Sequence, residues 1–358
     1  MDNHIFENRA TVQKVDSGKL YLGFTNLGYF KNNEYSNDIA DGLTLFGYQF
    51  NPYFSYHPSA AVSLSAGVYL QQEFGASDFT EIAPTLTLKI KTNEVSFLFG
   101  TLEGNLHHKL IEPLYDFENT LSDPLENGVQ LIWQRERLFL DTWLDWRNAI
   151  FKGDDQQEEL VFGTSINYNF LTWGDVNIFI PVQLIVFHRG GQIDASPLPV
   201  LTLVNGAVGL EIEGPVSPTG FWRRWYTKNY FTLYNDASNT KRQPFDQGNG
   251  WYLNIGAKTR IFEIMGSFWH GDGFIAPIGG QLYPSVSSTF KNPDAIEEIR
   301  ALFILRLLYD WPVTDQLVMG ARLEPYYDFK NREVEFSSGL YIHYRPKFYL
   351  GKPKTPRP

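Results

Sequence analysis

The chain has 358 residues, with 30 basic and 40 acidic side chains, a net charge of -10 and no cysteine. The missing cysteines exclude disulfides and thiolate metal sites, and the negative balance argues against a nucleic-acid partner. Mean hydropathy is -0.26 and the most apolar stretch, 178–187, spans about ten residues and is broken by Gln183; that is too short for a helix across a bilayer and suits a tilted membrane strand.

The N-terminal stretch 1–17 is read as a periplasmic segment. Met1-Asp2-Asn3-His4-Ile5-Phe6-Glu7 has neither the basic nor the apolar region of a secretory leader. The expectation is therefore that a leader has been removed before this numbering starts. From residue 18 to 346 the chain reads as β-strand after β-strand. The predicted strands are 18–29, 42–56, 60–74, 81–92, 94–102, 127–135, 137–149, 158–171, 175–188, 200–213, 222–235, 249–260, 262–272, 298–310, 315–329 and 332–346.

Two-residue alternation carries these assignments. Val62, Leu64, Ala66, Val68 and Leu70 alternate with Ser63, Ser65, Gly67, Tyr69 and Gln71. Leu86, Leu88 and Ile90 stand opposite Thr85, Thr87, Lys89 and Lys91. The connections alternate as well. Links such as 57–59 and 93 are short, whereas 103–126, 189–199, 236–248 and 273–297 are long. An up-and-down barrel spanning an outer membrane has tight periplasmic hairpins, long outer loops and an even strand number. No linker or composition shift divides the chain. The expected fold is thus all-β: a transmembrane antiparallel barrel of about 16 strands. The tail 347–358 is basic and proline-rich, and is expected to be extended.

A soluble β-fold would turn its polar face to bulk water and should carry many charges there. Here that face is mostly Ser, Thr, Asn, Gly and Tyr, which suits a wet lumen. Aromatic residues gather near strand ends, for example Trp143 with Trp146 and Trp222 with Trp225, as interfacial girdles require.

The architecture resembles the general porins, sixteen-stranded outer-membrane barrels that pass small solutes. In texture, segments such as 107–116 and 187–194 resemble uncharacterised outer-membrane barrels of the Bacteroidota. The porin resemblance implies that the long loop after the fifth strand folds inward as a constriction. Here that loop, 103–126, carries His107, His108, Lys109, Glu112, Asp116 and Glu118. Its Leu106, Leu110, Ile111, Leu114 and Tyr115 favour burial. The chain departs from classical porins in running past its last strand instead of ending on an aromatic residue.

The lumen-facing candidates are Lys89, Lys91, Asp141, Trp143, Asp145, Arg147, Lys258, Arg306, Arg322 and Glu324. Opposed charges of this kind select permeants by charge and dipole. A mixed wall predicts weak charge selectivity. The expected function is passive diffusion of small polar solutes across a Gram-negative outer membrane, with 103–126 as the constriction. The alternative is a closed structural barrel within a larger secretion, insertion or uptake complex, since Phe139, Trp143, Phe179, Phe187, Trp269 and Tyr326 all point inward. Expected partners are membrane lipid, small polar solutes, and copies of the chain or other outer-membrane proteins. No cofactor or metal is expected, because the seven histidines are scattered. No nucleophile elbow, zinc-protease or phosphate-loop motif is present, so an enzyme is not expected.

Overall fold

A computed structural model describes residues 3–6, 12–191 and 193–353. Sixteen antiparallel strands follow one another around a closed barrel. They are β1 (Leu20–Glu34), β2 (Thr44–Ser59), β3 (Val62–Glu73), β4 (Glu81–Lys91), β5 (Val95–Thr101), β6 (Asn127–Gln134), β7 (Leu138–Asn148) and β8 (Glu159–Trp173). Then come β9 (Val176–Arg189), β10 (Leu201–Pro215), β11 (Trp222–Asp236), β12 (Gln247–Thr259), β13 (Glu263–Asp272), β14 (Ile299–Pro312), β15 (Leu317–Asp328) and β16 (Glu333–Tyr344). β1 closes the sheet by pairing with β2 on one side and with β16 on the other, Asn26 opposite Tyr344 and Phe30 opposite Leu340.

The alternation seen in the sequence appears here with its sign reversed relative to a water-soluble protein. On β3, Ser63 and Gln71 are 4% and 3% exposed, whereas Leu64 and Val68 are 41% and 42% exposed. The apolar set faces outward around the wall, and the polar set faces a filled interior. Only a lipid environment makes that arrangement favourable, because exposed apolar surface costs free energy in water. Trp173, Trp222 and Trp311 are exposed near the short-turn end, and Trp146 and Trp251 near the long-loop end.

Two segments differ from expectation. The N-terminal segment is expected as a free periplasmic stretch, whereas its Ile5 and Phe6 are buried inside the barrel against Leu27, Tyr29, Phe117 and Tyr341. The Asn3 amide donates to the Tyr309 and Ala321 carbonyls, at 3.1 and 3.2 Å. The apolar pair Ile5-Phe6 is what buries here. The basic tail begins as a further strand, β17 (Lys347–Gly351), paired with the first residues of β1. Without it, Tyr21 to Gly23 would leave an open sheet edge. The barrel therefore continues past residue 346, and 354–358 lie outside the described residues.

β1 also runs five residues further than its predicted end at 29. Its inward set continues through Leu27, Tyr29, Lys31 and Asn33, all buried.

Candidate functional site

Two long loops, 102–126 and 273–298, turn into the barrel. Their apolar residues supply the material that fills it. Ile111, Leu114, Phe274, Ile275 and Tyr283 pack against Tyr230, Tyr252, Trp269 and Leu302 of the wall. Phe117 and Leu121 pack against β1 and β16, and Tyr115 and Ile278 against β7 to β9. Hydrogen bonds fix the loops to the wall and to each other. Gln49 and Gln71 donate to the Leu121 carbonyl, both at 3.0 Å. Gln183 holds both the Lys109 carbonyl and the Ile111 N–H at 3.0 Å, and Asn205 donates to the Ile275 carbonyl at 2.7 Å. Between the loops, Asp116 N–H donates to Ile278 O and Gly280 N–H to Glu112 O.

Two buried polar clusters lie within this filling. In the first, Arg306 pairs with Glu112 of the loop and with Glu324 of β15. Arg322 pairs with Glu324 and approaches Glu112 at 3.6 Å. Tyr283 donates to Glu112 at 2.9 Å, and Arg306 donates to Tyr252 at 2.7 Å. Lys31 joins the set through Glu118 at 3.3 Å and Glu324 at 3.9 Å. Burial, then the nearby Glu118 charge, pushes the Asp116 carboxyl well above the usual carboxylate range.

The second cluster centres on His108, which is fully buried. Its Nδ1 lies 2.9 Å from Asp141 and its Nε2 2.7 Å from Glu126. Burial pulls the imidazole down, but the Glu126 charge and the hydrogen bonds to Asp141 and Glu126 outweigh it and raise its pKa to about 9. Burial works against the Glu126 carboxylate too, yet the His108 charge and the His108, Tyr115 and Asn105 hydrogen bonds hold it down at about 2. Gln130 donates to Asp141 at 3.0 Å and to the Glu103 carbonyl at 3.1 Å, and Glu103 pairs with Lys89.

Most of the residues named from sequence meet in these clusters: His108, Glu112, Asp116, Glu118, Lys89, Asp141, Arg306, Arg322 and Glu324. Trp143 stacks on His108, and Asp145 accepts the Asn127 N–H at 2.7 Å. Arg147 sits at the long-loop end with Asp123 and Glu159. Lys109 adopts a left-handed backbone, φ 58°, and its ammonium lies 3.9 Å over the Phe139 ring. The alternation places Lys91 among the lumen-facing residues. It is instead exposed as the last residue of β4, one strand end away from that loop. Lys31, Glu126, Gln130, Tyr252 and Tyr283 were not among the candidates. Lys31 could have been found by extending the alternation of Leu27 and Tyr29 beyond the predicted strand end.

Two cavities remain beside the loops. One of about 590 Å³ is lined by Lys109, Phe139, Glu211, Tyr226, Lys228 and Lys258. The other, of about 480 Å³, is lined by Ser55, Ser65, Thr85, Thr87, Thr101 and His107. No group of side chains able to hold a metal ion occurs among the described residues.

A closed sixteen-stranded wall, an apolar belt and inward loops define an outer-membrane-type β-barrel. The fold is shared with an outer membrane protein of Vibrio cholerae, OmpT lacking loop L8. It is 12% identical, with a TM-score of 0.56 over 91% of this chain and 99% of that one. It is also shared with OprD of Pseudomonas aeruginosa, 10% identical, with a TM-score of 0.55 over 96% of this chain and 100% of that one. The sequence itself belongs to the lipid A 3'-O-deacylase-type family, whose model matches residues 12–353. No curated protein matches it. The family bears an enzyme's name, which corrects the expectation that the chain is not an enzyme.

Proposed function

We propose that this chain is an outer-membrane barrel that hydrolyses an acyl ester of a membrane lipid. The observation that carries the reading is family membership over 12–353. The filled interior supports it, because loops tied to the wall by buried ion pairs suit a rigid scaffold better than an open conduit. Hydrolysis would add water across the ester, releasing a fatty acid and leaving a hydroxyl on the lipid. The test is mass spectrometry of lipid A incubated with the detergent-purified, folded protein. Loss of one acyl chain is the expected result. Intact lipid A after prolonged incubation with heat-modifiable, folded protein would overturn the reading.

A second reading is passive diffusion of small polar solutes with 103–126 as constriction. It is favoured by the two cavities of about 590 and 480 Å³ that flank the loop. Single-channel conductance in planar bilayers tests it. Steady openings of the intact protein support it, and silence sinks it.

A further inference from the structure

The barrel wall is not equally tall all round. β5 has 7 residues and β6 has 8, between β3 and β8 with 12 and 15. At about 3.3 Å per residue and a tilt of about 40°, seven residues rise roughly 18 Å, against an apolar belt of about 25 Å. The shortfall lies in the long-loop half, because β5 pairs with β4 only from Thr87 to Lys91. The outer half of β4, from Glu81 to Leu86, therefore pairs with β3 alone.

The open edge carries its own signature. Lys91 N–H bonds toward β3, so the even-numbered peptides of β4 face β5. Leu86 N–H finds the Thr101 hydroxyl at 3.2 Å, and Ile82 and Pro84 face the gap beyond it. Pro84 has no N–H to strand there, which is how proline is tolerated in a sheet. The flank of the gap is apolar and exposed: Ile82 (65%), Leu86, Phe99 and Val129.

Behind the gap lies the cavity of about 480 Å³, with Thr85, Thr87, Thr101, Asn105 and His107 on its wall. Loop residues 102–107 with Pro124 and Leu125 complete that wall. They are tied by the Asn105 amide to Pro124 O at 2.7 Å and by Asn105 N–H to Glu126 at 2.8 Å. Asn105 itself takes a left-handed backbone, φ 54°.

We propose that this notch at β4–β6 is where a lipid of the outer leaflet docks, its acyl chain against Ile82, Leu86 and Phe99 and its polar saccharide head toward the hydroxyl-lined cavity. The occupant is amphiphilic because the site is: hydrocarbon outside, hydroxyl and amide groups immediately behind. Lipid hydrocarbon also has no means of satisfying an open sheet edge, whereas a hydroxyl-bearing head group has. The inference deepens the lipid-hydrolase reading and rests on it for the identity of the lipid.

The test uses the full-length protein in vesicles containing lipid A, with the photoreactive residue p-benzoylphenylalanine replacing Ile82 or Phe99, and replacing Leu253 or Leu340 as controls elsewhere on the wall. Lipid A adducts several-fold more abundant at Ile82 and Phe99 than at the controls are expected. Equal adducts at all four positions, or crosslinked protein dimers in their place at the notch, would overturn the proposal. Acyl release by the unmodified protein is measured in the same vesicles. Release without notch enrichment removes the docking site and leaves the hydrolase. Notch enrichment without release removes the hydrolase and leaves the docking site.

Discussion

Trp143 lies flat on His108, the ring centroids 3.4 Å apart and the planes inclined by 8°. The stack exists because Gly163, across the β7–β8 pair, offers no Cβ. A methyl group there would collide with the indole ring. Gly163→Ala is expected to displace Trp143 from His108 and to cost about 1–3 kcal/mol, as overpacking does. Urea-dependent unfolding followed by tryptophan emission checks this. An unchanged midpoint and spectrum would show that the wall relaxes without disturbing the stack.

The His108 clamp predicts a pH dependence. Its pKa is raised from 6.5 to about 9, so the folded state holds the proton more tightly than the unfolded chain. The stabilisation is fully present below pH 6.5 and fades as pH rises through about 9. A rise of that size corresponds to about 3 kcal/mol. Glu126, lowered from 4.5 to about 2, gives the acid limb: its share is present above pH 4.5 and is lost as pH falls toward 2. Both limbs describe one ion pair, so the energy counts once. Protease cleavage within 102–126 should accelerate on the alkaline side, and His108→Gln should flatten that limb. A variant with an undiminished alkaline limb would assign it to another group.

Arg306 is 1% exposed and bonds Glu112, Glu324, Tyr252 and Tyr283. Truncating one partner of such a pair strands the other charge, which typically costs about 3–5 kcal/mol. Arg306→Met should therefore destabilise the barrel strongly, while Glu112→Gln in the same chain should recover part of the loss. A double-mutant cycle on unfolding free energy measures the coupling. Strict additivity would mean that the Arg306–Glu112 pair contributes nothing to holding the loop.

Deleting 106–122 removes His108, Glu112 and Phe117 together, and with them the contacts to β1, β7 and β14. Conductance is expected to rise above that of the intact protein but to stay limited, because the 273–298 loop keeps Phe274 and Tyr283 against Trp269. Identical traces before and after deletion would place the barrier in the second loop.

The alternation of single strands and the parity of short and long links were enough to specify a sixteen-stranded membrane barrel. Both are local signals: the two-residue period reports which face a side chain takes, whatever its neighbours are. The acidic and aliphatic residues of 103–126 likewise marked a loop suited to burial. What each charge meets was decided only by closure of the barrel. Glu112 and Arg306 are 194 residues apart in sequence, and His108 reaches Asp141 only because its loop turns inward beside β7. The burial of Ile5 and Phe6, the β17 pairing and the low wall at β5–β6 have the same origin, since each depends on which segments the closed sheet brings face to face.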